Sequence, residues 1–159
     1  QPHAVRNSGS GKPRRKMKAI IDSSVVIKWF VKEDGADESL DLRFQPLAAP
    51  DLLLVECANV FWKKVRRQEY QADDAVLALG AIERANISLS PAYGLASRAF
   101  DIGRALDHAV YDCFYLALAE RLSLPLITAD AKLMSKATLE RTSVRVLNLS
   151  NWKTVLDAD

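Results

Sequence analysis

Histidine and cysteine are scarce in this chain, with two of each in 159 residues. His3, His108, Cys57 and Cys113 stand at no spacing that metal sites use, which argues against a zinc centre. Both cysteines sit in apolar runs, where a free thiol behaves as a small hydrophobe. A disulfide is therefore not expected. No run of 18 or more apolar residues occurs, which argues against a transmembrane helix. The N-terminus also lacks the apolar segment of a secretory signal. These absences lead to the expectation of a cytoplasmic protein.

Residues 1–16 contain no acid at all, yet hold Arg6, Lys12, Arg14, Arg15 and Lys16. The whole chain carries 22 Lys and Arg against 20 Asp and Glu, a net charge of +2. Without those five basic residues the balance is 17 to 20, or −3. The segment has no hydrophobic period and precedes Met17, so it reads as a disordered leader foreign to the domain. A basic arm for nucleic acid is the alternative. Residues 17–159 are mildly acidic, and bulk charge alone does not argue for RNA or DNA. Their length suits one domain with a real core.

Residues 18–22, KAIID, are β-branched and apolar and predict a strand. Ser23 and Ser24 are helix-start residues for 25–32. A short helix is expected over 37–47 and a long one over 51–67, with Lys63, Lys64, Arg66 and Arg67 at its negative end. Residues 71–85 have helical spacing. A strand over 86–90 and a helix from Pro91 to about 106 follow. A helix starting at Asp107 or His108 runs to about 123. A strand over 124–128, a helix over 130–139 and a strand over 143–149 complete the chain. Strands alternating with helices imply a parallel sheet flanked by helices, an α/β fold.

Four acids stand where that pattern does not favour them. Asp22 ends the first strand, and Asp130 follows the strand in LPLITAD. Glu56 is the single charge in LLLVECANVFW, and Asp112 the single charge in VYDCFYLALA. Asp22 and Asp130 could each be helix N-caps. Glu56 could point outward, although apolar residues surround it on the helix, and a helix apolar all round is usually buried. A lone buried carboxylate is destabilising by several kcal/mol or is neutralised by a raised pKa. No Lys or Arg is interleaved in either run. One cause accounts for all four acids if they meet around a cation, and an all-oxygen set suits Mg2+ or Mn2+. Residues just past parallel strand ends share one crevice, which is where Asp22 and Asp130 fall.

Three segments in this order, IIDSSVVIKWF after Met17, APDLLLVECANVFWK and HAVYDCFYLALAERLSLPLITAD, make the chain resemble the PIN-domain nucleases. In particular it resembles the small VapC-type toxins of prokaryotic toxin–antitoxin pairs. The resemblance implies a single PIN-like domain with a parallel sheet of four to five strands. It implies a metal-dependent endoribonuclease with Mg2+ or Mn2+ as cofactor. Asp22, Glu56 and Asp112 would be the main ligands, and Asp130 would complete the site through water or a second ion. Ser24 and Thr128 would orient the ligands. Asn59, one turn after Glu56, also matches, or packs the helix.

The implied partners are an RNA substrate, single-stranded or looped, and a VapB-type antitoxin. A homodimer and a toxin–antitoxin hetero-oligomer are also implied, and no membrane. Lys63, Lys64, Arg66 and Arg67, or Arg98, Arg104 and Lys132, are candidate RNA contacts, with a solvated helix face as the alternative. Val26, Trp29, Phe30, Val31 and residues 40–47 are a candidate antitoxin or dimer surface, or core. A non-catalytic PIN-like binding module and a haloacid-dehalogenase-like phosphohydrolase are the competing readings. The latter family places a second Asp two residues after the first, where this chain has Ser24.

Overall fold

The computed structural model describes residues 16–138 and 141–158. The expectation of a disordered leader lies outside these, apart from Lys16.

Strand β1, Ala19–Ile21, is buried throughout. It occupies the middle of a five-stranded sheet of order β3-β2-β1-β4-β5, in which each pairing is parallel. A central parallel strand is covered on both faces, so it reads as continuous apolar sequence rather than alternation. β3, Ile87–Ser90, forms one edge; β4, Leu126–Ile127, and β5, Val146–Leu147, lie on the other side of β1. The strand count thus falls at the upper end of the expected four to five.

Strand β2, Leu47–Pro50, was not expected, because Leu-Ala-Ala-Pro has neither β-branched residues nor a period of two. It forms because its neighbours supply the pairing. Leu47 and Ala48 register with Ala19 and Ile20 on one side, and all four residues register with 87–90 on the other. Two helices pack onto it, α3, Leu52–Arg66, and α6, Val110–Leu122, and the small alanines admit them. The expected helix over 37–47 is therefore shorter. It comprises α2, Ala36–Leu40, and a 3-10 turn, Asp41–Phe44. The helix expected after Ser24 is likewise only α1, Ser23–Val26, and a 3-10 turn, Ile27–Trp29.

After α3 come α4, Ala72–Glu83, and then α5, Ala96–Leu106. Residues 91–95 do not continue α5 upstream as expected. The Ala92 amide is held by Asp51 Oδ1 at 2.9 Å, and Gly94 turns the chain with a left-handed φ of +84. Helix α7, Ala131–Lys136, and a final unexpected helix, α8, Trp152–Leu156, complete the fold. α8 buries Trp152 and Leu156, and the Trp152 indole donates to the Glu38 carbonyl at 3.2 Å.

α6 is the central helix. Residues 115–119 are buried in succession, and α6 contacts β1, β2 and β4. Among the described residues no helix is long and apolar enough to cross a membrane.

The strand order decides where a site can form. From β1 the chain winds outward to β2 and β3, then returns to place β4 on the other flank. The reversal lies between β1 and β4, and a crevice opens beyond the carboxyl ends of the strands at such a point. Ile21 and Ile127 are register partners there, so the next residues, Asp22 and Thr128, stand side by side.

Candidate active site

Asp22 follows β1 and occupies the N-cap position of α1, but its side chain makes no capping bond. It is turned inward instead and is only 4% exposed. Ser24 Oγ donates to its Oδ1 at 2.5 Å, and Thr128 Oγ1 donates to its Oδ2 at 2.5 Å. Each hydroxyl also accepts one backbone N–H. Ala129 N reaches Ser24 Oγ at 2.9 Å, and Asp130 N reaches Thr128 Oγ1 at 3.0 Å. The two hydroxyls thus tie the β1 and β4 ends together and aim at one carboxyl group. Burial pushes the Asp22 carboxyl from 3.8 up to about 7, offset in part by these hydroxyls and reinforced by the nearby charge of Asp112.

Asp112 lies in the first turn of α6, where the helix dipole favours a negative charge. The helix begins at Val110 rather than at Asp107 or His108. Asp107, with φ of +49, closes α5 in the left-handed region, and the His108 amide bonds back to the Gly103 carbonyl at 3.1 Å. Asp112 therefore sits at the mouth of the crevice and is 27% exposed at its side chain. Its charge raises both Asp22 and Glu56, which makes it the electrostatic centre of the group.

Glu56 is half-buried on α3. Its Oε1 accepts the hydroxyl of fully buried Tyr115 at 2.5 Å. Burial raises the Glu56 carboxyl above its ordinary value; the Tyr115 hydrogen bond lowers it and Asp112 raises it further. α3 is not apolar on all sides in the buried sense expected. Val55 is 66% exposed and Trp62 53% exposed, so one apolar face of the helix is at the surface. Glu56 is held inward by Tyr115 rather than by encirclement.

Asp130 does cap a helix. Its Oδ1 accepts the Lys132 and Leu133 amides of α7 at 2.9 and 3.1 Å. Its second oxygen makes no hydrogen bond among the described residues. One ligand-capable atom from each of His108, Asp112 and Asp130 lies within 4.8 Å of the others. His108 Nε2 is 2.6 Å from Asp112 Oδ2. Asn59 is exposed, and among the described residues it makes no hydrogen bond to the four acids.

Two residues of this site were not singled out from sequence. Tyr115 is three positions after Asp112, on the same helix. His108 is four before it, at no spacing that a zinc site uses. Their positions relative to Asp112 were the available signal.

The remaining expectations divide. Val26, Trp29, Leu42 and Leu47 are core, and Phe30 and Val31 are partly buried, so most of the apolar residues considered as a surface are not exposed; Phe44 is the large apolar residue exposed there, beside the exposed Asp41 and Arg43. Arg98 is tied to Glu120 through two bonds of 2.7 and 2.9 Å. Lys64 pairs with Glu33 and Glu69. Lys63, Arg66 and Arg67 are available at the end of α3, where the Arg66 guanidinium lies 4.8 Å from the Trp62 ring centroid.

With this geometry in place, comparison with known proteins is direct. The family model for the PIN domain matches residues 19–139. Ribonuclease VapC3 of Pyrobaculum aerophilum is 32% identical over 125 residues, covering 76% of this chain and 95% of that protein. The crystal structure of PAE2754 from Pyrobaculum aerophilum superposes with a TM-score of 0.68 at 20% identity, covering 91% of this chain and 92% of that one. VapBC2 from Rickettsia felis, solved with a DNA fragment from its promoter, gives a TM-score of 0.59 at 12% identity, covering 83% and 98%. The phosphohydrolase alternative falls with this match, and Ser24 at its diagnostic position is a hydroxyl donor to Asp22. The sheet order, the crevice at β1 and β4 and the matched residues agree: the chain belongs to the PIN domain family and, within it, groups with the VapC proteins.

Proposed function

We propose that this chain is a VapC-type toxin, an endoribonuclease that uses Mg2+ or Mn2+ held by Asp22, Glu56, Asp112 and Asp130 to cut RNA phosphodiester bonds. The observation that carries the reading is Asp22, buried at the switch point of the sheet, with the Asp112 charge near enough to act on both Asp22 and Glu56. Among the described residues, no Lys or Arg pairs with any of the four acids. Asp112 shares a cluster with Asp130 and acts electrostatically on Asp22 and Glu56; carboxylates so placed, without a cationic side chain among the described residues, would fit a hard divalent ion, since oxygen donors suit Mg2+ and Mn2+.

Asp22, Glu56, Asp112 and Asp130 would hold such an ion, which would supply activation of a water nucleophile and compensation of phosphate charge. The protein's own contribution is positional. Ser24 and Thr128 hold Asp22, Tyr115 holds Glu56, and the α7 amides hold Asp130. An acidic crevice repels RNA, so cations must grip the backbone outside it. Lys63, Arg66 and Arg67, exposed at the end of α3, would be the candidate set, with the exposed Trp62 ring as a surface for a base.

The matched Pyrobaculum protein is named a ribonuclease, which supports the reaction, and the Rickettsia neighbour is a VapBC assembly, which supports the pairing. A VapB-type antitoxin would silence the site by placing an Arg among the carboxylates, a charge-assisted bond in place of metal. Homodimers and toxin–antitoxin hetero-oligomers belong to the same reading, as does residues 17–159 acting as the nuclease unit.

The test is cleavage of total cellular RNA by the purified chain with Mn2+, Mg2+ or EDTA, alongside Asp22→Asn and Asp112→Asn. Sequencing of RNA ends after brief induction identifies the substrate. Cleavage that persists in EDTA, or that stays at the wild-type level in both variants, overturns the reading.

A further inference from the structure

We infer that His108 is a positioning residue of this centre: its imidazole donates a hydrogen bond that fixes Asp112, and is not itself a metal ligand. The inference rests on the metal-centre reading above.

His108 is among the most enclosed polar side chains of the crevice, 4% exposed. Its Nε2 lies 2.6 Å from Asp112 Oδ2. Two lone pairs do not face one another at that separation, so a proton lies between them. With Asp112 ionised, that proton is on Nε2. The other ring nitrogen, Nδ1, is buried and has no hydrogen-bond partner among the described residues. A neutral imidazole carries one N–H. With the proton on Nε2, Nδ1 presents only an unused lone pair.

Ligation would demand the reverse arrangement. Nε2 would give its lone pair to the ion, and the proton would move to Nδ1, where no acceptor waits. A buried N–H without an acceptor is costly. Ligating histidines nearly always donate their second N–H to a carboxylate, carbonyl or water, and His108 lacks that support. The proximity of His108, Asp112 and Asp130 is thus better accounted for by two carboxylate ligands and one donor that orients the first. With Oδ2 engaged by the imidazole, Asp112 offers Oδ1 to the ion.

The turn that carries His108 is built to hold it. Asp107 adopts its left-handed conformation, and its carbonyl accepts Lys136 Nζ from α7, the helix that Asp130 caps. The His108 amide is bonded to Gly103 O. A Cβ at Gly103 would stand 3.1 Å from the His108 carbonyl oxygen and 3.1 Å from Val110 Cγ2. α5 therefore approaches this turn closely, and glycine is what permits it. The ring has little freedom to move onto a metal.

The experiment uses Mn2+ as probe on the full chain. Calorimetric titration compares wild type, His108→Ala and His108→Gln, and electron spin-echo modulation of the Mn2+-loaded wild type reads directly bonded nitrogen. Gln keeps an N–H donor near the Nε2 position. The expected results are a 10- to 100-fold weaker Mn2+ affinity in His108→Ala, recovery of most of it in His108→Gln, and no nitrogen coupling from a bonded imidazole. A strong 14N coupling makes His108 a ligand and overturns the inference without any variant having to fold. Wild-type affinity in a folded His108→Ala also overturns it while leaving the metal centre intact. Absence of Mn2+ binding by the wild-type chain overturns the metal centre and the inference together.

Discussion

Asp22→Asn should stabilise the metal-free protein while abolishing its metal chemistry. The Asp22 carboxyl is held at about 7 in the folded chain against 3.8 in its ordinary state, burial being the main cause. Between those values the folded protein binds a proton that the unfolded chain has lost. Stability therefore falls as pH rises from about 4 to about 7, and is level above that. Integrated from about pH 5 to about pH 8, the loss attributable to Asp22 is roughly 3 kcal/mol. Asn is nearly isosteric and does not titrate. Its carbonyl oxygen can accept one of the two hydroxyls, and its N–H2 can donate to the other. Urea unfolding in EDTA, followed by circular dichroism, measures both proteins at the two pH values. The expected outcome is that the stability of Asp22→Asn relative to wild type improves by roughly 3 kcal/mol between them. Adding Mn2+ at the higher pH should then stabilise wild type and leave Asp22→Asn unmoved. A difference between the two proteins that stays constant with pH refutes the argument, as does one that shifts in favour of wild type.

Metal affinity should follow the same proton. Because a ligating carboxylate must be ionised, Mn2+ affinity should rise about tenfold per pH unit below about pH 7 and flatten above it; calorimetry across that range would show a flat profile if Asp22 is not a ligand. Tyr115→Phe removes one hydroxyl and frees Glu56 Oε1. Mn2+ affinity should drop about tenfold or more with the fold intact, and unchanged affinity would show that Tyr115 acts only in packing. Thr128→Val strips the hydroxyl that donates to Asp22 and accepts the Asp130 amide. Leaving buried polar groups unpaired should cost about 1–3 kcal/mol in urea unfolding, and a smaller change would show that water replaces the hydroxyl. Phe61→Ala, at a core position 1% exposed, should cost about 3–5 kcal/mol without altering metal affinity per folded molecule.

Much of the architecture was already present in local pattern. β1 is apolar on both faces, and α3, α4 and α6 have helical apolar spacing, so their existence follows from residues near one another in the chain. Asp22, Glu56, Asp112 and Asp130 stand out because each breaks that pattern, and in the folded chain the charge of Asp112 does act on Asp22 and on Glu56. β2 was invisible because Leu-Ala-Ala-Pro becomes a strand only when β1 and β3 offer their edges. The start of α6 was misplaced because a left-handed Asp107 and the Gly103 carbonyl, not local propensity, stop the helix short of His108.

What belongs to the sequence alone is therefore the alternation of elements and the presence of acids that a core does not favour. What belongs to the tertiary structure is which partner each acid receives. Ser24 and Thr128 meet over Asp22 from 104 positions apart, and Tyr115 reaches Glu56 across 59. No periodicity encodes those distances. They arise when parallel pairing sets Ile21 beside Ile127 and α6 packs across the strand ends, and the same packing that removes water from Asp22 raises its pKa.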